Sequence, residues 1–215
     1  MSKTAALQQT IAERILQRLD FIRLAPQSIL DVSLVESGLQ AGLQEKYPDA
    51  DIQQAAPSAI NQPDKSVDLV VMNLTLLEDM SNCLQEVMRV LKPDSIFIFT
   101  QLGVESLKEI RNQQVQFPDM HDIGDALLKH GFQDPVMDMQ NIIFTYTAKE
   151  KVIPDMQGTG YEPLLSSYQA EAQADGLYPL TLEIIYGLAY KPAKALQHSH
   201  ENEVRISIDE ITRKR

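Results

Sequence analysis

Residues 28–38 read Ser-Ile-Leu-Asp-Val-Ser-Leu-Val-Glu-Ser-Gly. Ile29-Leu30-Asp31-Val32 is a short apolar run containing one acidic side chain near its end. A nucleotide-binding turn of the Gly-x-Gly-x-Gly type would follow such a strand, and Ser33, Val35 and Ser37 stand in its place. Glycine permits φ > 0 and lets backbone approach a ligand closely. Val35 permits neither and is stiff at χ1. Gly38 falls one place out of register. Glu36 and Ser37 suit the start of a helix, where acidic and hydroxyl groups cap free N–H groups. The scaffold of a cofactor site is present, and its binding turn is replaced.

His121 is the catalytic candidate by type, because imidazole titrates near neutrality. The sequence offers it no activated nucleophile or oxyanion partner, and the competing reading is a structural hydrogen bond at a helix start. Asp119, Asp122 and Asp125 read as a solvated face at a helix N-terminus. His198 and His200 share a polar tail and lack the further ligands a metal needs. Cys83 is the only cysteine. It excludes an intrachain disulfide and any multi-cysteine metal site, and reads as a packed thiol beside Leu84 and Val87. Met80, Met88, Met120, Met137 and Met139 read as gap-fillers of the core.

The elements that must hold these residues alternate. Leu7, Ile11, Ile15 and Leu16 have helical spacing; strand one follows, then a helix with Leu39 and Leu43 ending near Lys46. Residues 51–56 form a poor, polar strand of the kind found at sheet edges. Residues 57–66 carry two prolines and are too short for a helix-plus-strand crossover, which takes about 10–12 residues. Residues 67–73 are a buried strand, followed by a helix with Leu84, Val87, Met88 and Leu91 on one face. Lys92-Pro93-Asp94-Ser95 is a turn and residues 96–100 another central strand. Val104, Leu107 and Ile110 predict a helix. Ile123, Leu127 and Leu128 predict a further one, closed by Gly131. Residues 136–146 are extended, 163–174 predict a helix, and 181–186 a late strand. Residues 1–191 form one domain. Residues 192–215 form a polar tail, with a possible short strand at 204–208. This α/β alternation specifies a doubly wound, mostly parallel sheet, which places the 29–38 turn at the carboxyl edge where such folds bind ligands.

The chain has 215 residues, 44% hydrophobic and 23% charged, with a net charge of −11. That size supports a sizeable core. That charge disfavours nucleic acid and anionic membrane surfaces. The N-terminus is amphipathic rather than signal-like, and no apolar run reaches membrane-spanning length, so a cytoplasmic location is expected.

Several segments resemble class I S-adenosylmethionine-dependent methyltransferases, and within them the malonyl-acyl-carrier-protein O-methyltransferases that prime biotin synthesis. They are Ala6-Leu7-Gln8 with residues 11–14, residues 68–74, 86–93 and 100–103, and residues 107–111. Asp119-Met120-His121-Asp122-Ile123-Gly124-Asp125-Ala126-Leu127-Leu128 is the most specific, joined by residues 131–138 and 179–187. The resemblance implies a sheet of order 2-1-4-5-7-6 in the family's numbering, lacking strand three and its preceding helix, with the last hairpin strand antiparallel. It places Asp31 near the cofactor's amino group and makes Asn73 a residual cofactor candidate. It also places Ala56 where an acidic residue normally takes the ribose hydroxyls, and Asp94-Ser95 where Gly-Gly is usual.

The loss of a charged ribose partner costs roughly 1.5–3 kcal/mol. A branched residue in a close-approach turn costs about another 1–3 kcal/mol. The main expectation from these departures is a methyltransferase-like pseudoenzyme that binds no cofactor. It would act through a protein partner: a copy of itself, an active relative, or a component of biotin or fatty-acid metabolism. Strand two, left as an edge around Ile52, would be one place to recruit it. An acidic acyl carrier would dock only if Lys108, Arg111 and their neighbours formed a basic patch. The alternative is an active malonyl-acyl-carrier-protein O-methyltransferase with a rebuilt S-adenosylmethionine pocket. A third option is a different small ligand in the remodelled cleft.

Overall fold

The structure, a computed structural model, describes residues 6–33, 38–75, 79–110, 116–168 and 170–193. Among them one sheet contains β1 (Ser28–Val32), β2 (Asp51–Ala55), β3 (Val67–Met72), β4 (Leu91–Leu102), β5 (Gln133–Tyr146) and β6 (Tyr178–Tyr190). The order is β2-β1-β3-β4-β6-β5. β2, β1, β3 and β4 are mutually parallel, and β6 is antiparallel to both β4 and β5. This is the expected 2-1-4-5-7-6 order with strand three removed. Residues 56–66 cross from β2 to β3 without helix or strand. Arg89 anchors that crossing, donating to the carbonyls of Ile60 and Gln62 and to Asp64.

Among the described residues the longer helices on the sheet are α1 (Ala6–Leu19), α2 (Gln40–Lys46), α3 (Met80–Val90) and α4 (Met120–Lys129). Side chains alternate across a strand. Leu30, Val70, Phe97 and Phe99 therefore join one core with Val87 of α3 and Leu127 of α4. Their neighbours Ile29, Leu69, Val71 and Ile98 join the opposite core with Ile15 of α1 and Leu43 of α2. A third cluster unites Leu7 and Ile11 with Leu102, Tyr161 and Ile184. It packs residues 149–168, carried by the long β5–β6 hairpin, onto the start of α1.

Local signals explain the helix ends. Asp79 caps α3 by accepting from the N–H of Asn82 at 2.9 Å. Cys83 is buried on that helix, and burial, then the Asp79 carboxylate, pushes its thiol up to about 12. Asp119 caps α4, and Gly131, at φ +89°, closes it in the left-handed conformation that glycine favours.

Several local expectations are corrected. Residues 104–110 are turns rather than a helix. Leu107 has φ +57° and donates its N–H to Thr181, while the Ser106 hydroxyl donates to the Glu183 carbonyl. The segment keeps only three-residue turns of its own, such as Ile110 N–H to the Leu107 carbonyl, and is otherwise laced to β6. The predicted 163–174 helix reduces to a 3₁₀ stretch, Glu162–Ser167, because Tyr168 turns extended and bridges to Ile110. The 92–95 turn is present as an irregularity inside β4: Asp94 lies at φ +61°, and Leu91 begins the strand rather than ending α3. Met80, Met88, Met120 and Met137 pack on the core, but Met139 and Leu128 are exposed.

Asp68 of β3 clips three segments together. It accepts from the N–H groups of Gln27 and Ser28, both at 3.0 Å, and from Lys92 Nζ at 2.8 Å. Burial pushes its carboxyl up, but Lys92 and the two N–H groups outweigh burial and hold it below its ordinary value. A carboxyl depressed on folding stabilises the native state above its unfolded pKa of about 3.9 and loses that contribution as pH falls through the folded value. Asp68→Asn is expected to flatten this acid limb in thermal melts between about pH 2 and 7. An unchanged acid slope would show that the clip contributes nothing to it.

Candidate active site

The parallel strands end on polar side chains. Asp31 shares the face of Ile29 on β1 and is fully buried beneath α1 and α2. Its register partner on β3 is Val71, which in turn faces Ile98 of β4. Two residues further on, Asn73 and Thr100 meet. The Thr100 hydroxyl donates to Asn73 Oδ1 at 3.0 Å and accepts from the N–H of Leu74 at 2.9 Å. Asn73 Nδ2 reaches the Gln8 carbonyl of α1 at 3.0 Å, which draws that helix across the end of β3. Asp31 and Asn73, the two residual cofactor candidates, therefore lie at the same edge.

Ser33 and Ala56 follow β1 and β2. The Ser33 N–H bonds the Ala55 carbonyl, and Gln54 Nε2 donates to Ser33 Oγ at 2.7 Å. Ala56 supplies only a methyl group and the carbonyl that turns the chain at Ala59. Val35, Glu36 and Ser37 lie outside the described residues. Gly38 has φ +79°, so a glycine in the left-handed region does stand in this loop.

His121 is placed at the first turn of α4, and its side chain is 80% exposed. Its N–H and its Nδ1 both approach Asp119 Oδ1, at 2.8 and 2.6 Å. The backbone bond, then the ring, holds the Asp119 carboxyl below its usual value. This is a capping arrangement. Asp122 and Asp125 are exposed on the same helix. Among the described residues no three His, Cys, Asp or Glu side chains gather as a metal site. His198, His200 and residues 204–208 lie outside the described residues, and none of the described helices is long and apolar enough to cross a membrane.

Sequence reasoning missed Gln101. It is buried at the end of β4 and donates to the Tyr161 hydroxyl at 3.0 Å, while its Oε1 has no hydrogen-bond partner among the described residues. The signal was present: two polar residues, Thr100-Gln101, follow the apolar run Ile96-Phe97-Ile98-Phe99 at the carboxyl end of the strand.

Residues 17–99 match a family described as a methyltransferase domain. Malonyl-acyl-carrier-protein O-methyltransferase 1 of Coxiella burnetii is 32% identical, with 96% of this chain and 89% of the relative covered. The chain belongs to the malonyl-acyl-carrier-protein O-methyltransferase family. The fold agrees with solved structures. YcgJ from Bacillus subtilis aligns with a TM-score of 0.57 at 14% identity, over 86% of this chain and 99% of that one. Phosphoethanolamine N-methyltransferase 2 of Haemonchus contortus, solved with S-adenosylhomocysteine, aligns at 0.55 and 15% identity, over 84% of this chain and 52% of that one.

Membership of this methyltransferase family overturns the expectation that the chain uses no cofactor, and with it the ground for a pseudoenzyme. The residues at the edge agree in part with the group this family implies. A buried carboxylate at Asp31 and the acceptor oxygens around Asn73 suit an ammonium group. At the end of β2 the Gln54 amide is bonded to the Ser33 hydroxyl, and Ala56 carries no carboxylate.

Proposed function

We propose that this chain is an S-adenosylmethionine-dependent O-methyltransferase that esterifies the free carboxyl of a malonyl group on an acyl carrier protein. The observation that carries the reading is its likeness to a relative of that name along nearly the full length of both chains. The buried Asp31 at the carboxyl edge supports it.

S-adenosylmethionine, when bound, supplies an electrophilic methyl group. Asp31 would hold its ammonium end, with Asn73 and Thr100 fixing the strand ends alongside. The malonyl carboxylate is ionised near neutrality, since carboxyl pKa values lie near about 4. It therefore needs no general base, and His121, held by Asp119 at the start of α4, is not required to act as one. The work left to the chain is positioning and exclusion of water. The apolar cap of Leu7, Ile11, Leu102 and Tyr161 serves the second task. Gln101 Oε1, buried inside that cap, is placed to orient a polar group of the acyl arm.

The partner in this reading is the carrier protein, a component of fatty-acid and biotin synthesis. Lys108 does not steer it, since its ammonium is paired with Glu105. Arg111 lies outside the described residues. Docking then rests on the acyl arm more than on long-range charge.

Incubating the purified chain with isotopically labelled S-adenosylmethionine and malonyl-acyl carrier protein should place label on the carrier as a base-labile ester. The same incubation with acetyl carrier, which lacks the free carboxyl, should not. Label on neither, under conditions where a family member is active, would overturn the reading.

A further inference from the structure

A cavity of about 420 Å³ opens at the amino edge of the sheet, opposite the site above. Lys65 lies just ahead of β3, Lys129 ends α4 and Lys191 follows β6; the antiparallel run of β6 brings that last lysine back to this edge. No carboxylate lines the cavity. None of the three lysines is ion-paired among the described residues. In a chain of net charge −11 such a concentration of cations is unexpected.

Structural duties account for only part of it. Lys191 Nζ donates to the carbonyls of Met88 and Leu91, at 2.6 and 2.5 Å, where α3 gives way to β4. Lys129 stands in the last turn of α4, where a cation suits the helix dipole. Lys65 has no such duty. Burial, then the nearby Lys65 ammonium, holds Lys191 below its ordinary pKa against the pull of Asp64. The pocket therefore has positive potential to spare. Leu128, 53% exposed on α4, and Pro93 and Pro192 give it an apolar wall that no neighbouring element covers among the described residues.

We propose that this cavity binds a small organic anion, its oxyanion head between Lys65, Lys129 and Lys191 and a short apolar body against Leu128 and the two prolines. The site is remote from the carboxyl edge, so it stands whether or not the methyltransferase reading does. The head is a carboxylate or a phosphate; both are met by the same ammonium groups.

Calorimetry with inorganic phosphate, hexanoate and hexyl phosphate tests it on the full chain, with no methyl donor present. At least one of the two hexyl probes should saturate below about 10 mM and bind more tightly than inorganic phosphate. Which of them binds better names the head. Lys65→Gln and Lys129→Gln should each weaken binding about tenfold, and the double variant should abolish it, while melting as the unaltered chain does. Both side chains are exposed and hold no structural bond, so folding is preserved. Failure of every probe to saturate, or a double variant that binds as tightly, overturns the site. Hexyl probes that bind no better than inorganic phosphate overturn the apolar wall.

Discussion

Asp31→Asn will bind S-adenosylmethionine about 10- to 100-fold more weakly than the unaltered chain, because a hydrogen bond to a charged group contributes about 1.5–3 kcal/mol. The substitution keeps the shape of the side chain and removes only its charge. Asp31 is fully buried at the end of β1, on the α1–α2 face, so the ammonium it would meet is shielded from solvent screening. The reciprocal change lies on β2. Ala56 follows the strand whose end is bonded to Ser33, and Ala56→Asp adds a carboxylate at the position to which the family resemblance assigns the ribose partner. It should tighten the cofactor, by up to about tenfold. Calorimetry with S-adenosylmethionine and S-adenosylhomocysteine reads both variants. If Asp31→Asn binds as tightly as the unaltered chain, the assignment of Asp31 fails. If the unaltered chain binds neither compound below about 1 mM, the proposed methyl transfer fails with it.

The second large effect is on stability. Gly187 of β6 lies directly across from Phe99 of β4. A Cβ built on Gly187 would overlap the Phe99 ring. That ring stacks on Phe97 with centroids 4.8 Å apart, and Phe97 leans on Phe132 at 5.9 Å. The glycine is there for space, so that three aromatic rings can close the core under α3 and α4. Gly187→Ala is expected to cost about 1–3 kcal/mol as overpacking. Phe99→Ala, which empties the same space, should cost about 3–5 kcal/mol. For a chain of this size that lowers Tm by roughly 6–20 °C. The pair should be coupled: in a Phe99→Leu background, Gly187→Ala should cost well under its value alone. Thermal and denaturant melts of the four combinations measure this, and strict additivity would show that the two residues do not compete for the space.

The strands were legible because their chemistry is unambiguous. Residues 67–72 and 96–100 are apolar runs buried on both faces, and the polar run 51–55 could only be an edge. The absent third strand followed from the shortness of residues 57–66. The helix expected from Val104, Leu107 and Ile110 failed because a spacing of three also fits consecutive turns. What decides between them is Thr181 and Glu183, more than seventy residues away, which take the hydrogen bonds that a helix would need. The candidate site divides along the same line. Asp31 and Asn73 end apolar strands and were readable as such. The link from Gln101 to Tyr161 was not, since it joins a strand end to a cap whose position depends on the whole β5–β6 hairpin. The argument from Ser33, Val35, Ser37 and Ala56 inferred the loss of a cofactor from four replaced side chains, which was too much. Substituting a binding turn does not by itself remove a ligand, and the relatives of this chain are methyltransferases.

A sheet that stops one strand early leaves the outer backbone of β2 without a neighbour among the described residues, and such a row is a template on which further chains can stack. The exposed Asp51, Gln53 and Gln54 make that stacking unprofitable, since each added layer would have to strip water from a carboxylate or an amide. Gln53 already bonds Asp51 at 2.6 Å along the rim. Filament growth is thereby discouraged at the place where the architecture was cut short, by the hydration of these side chains.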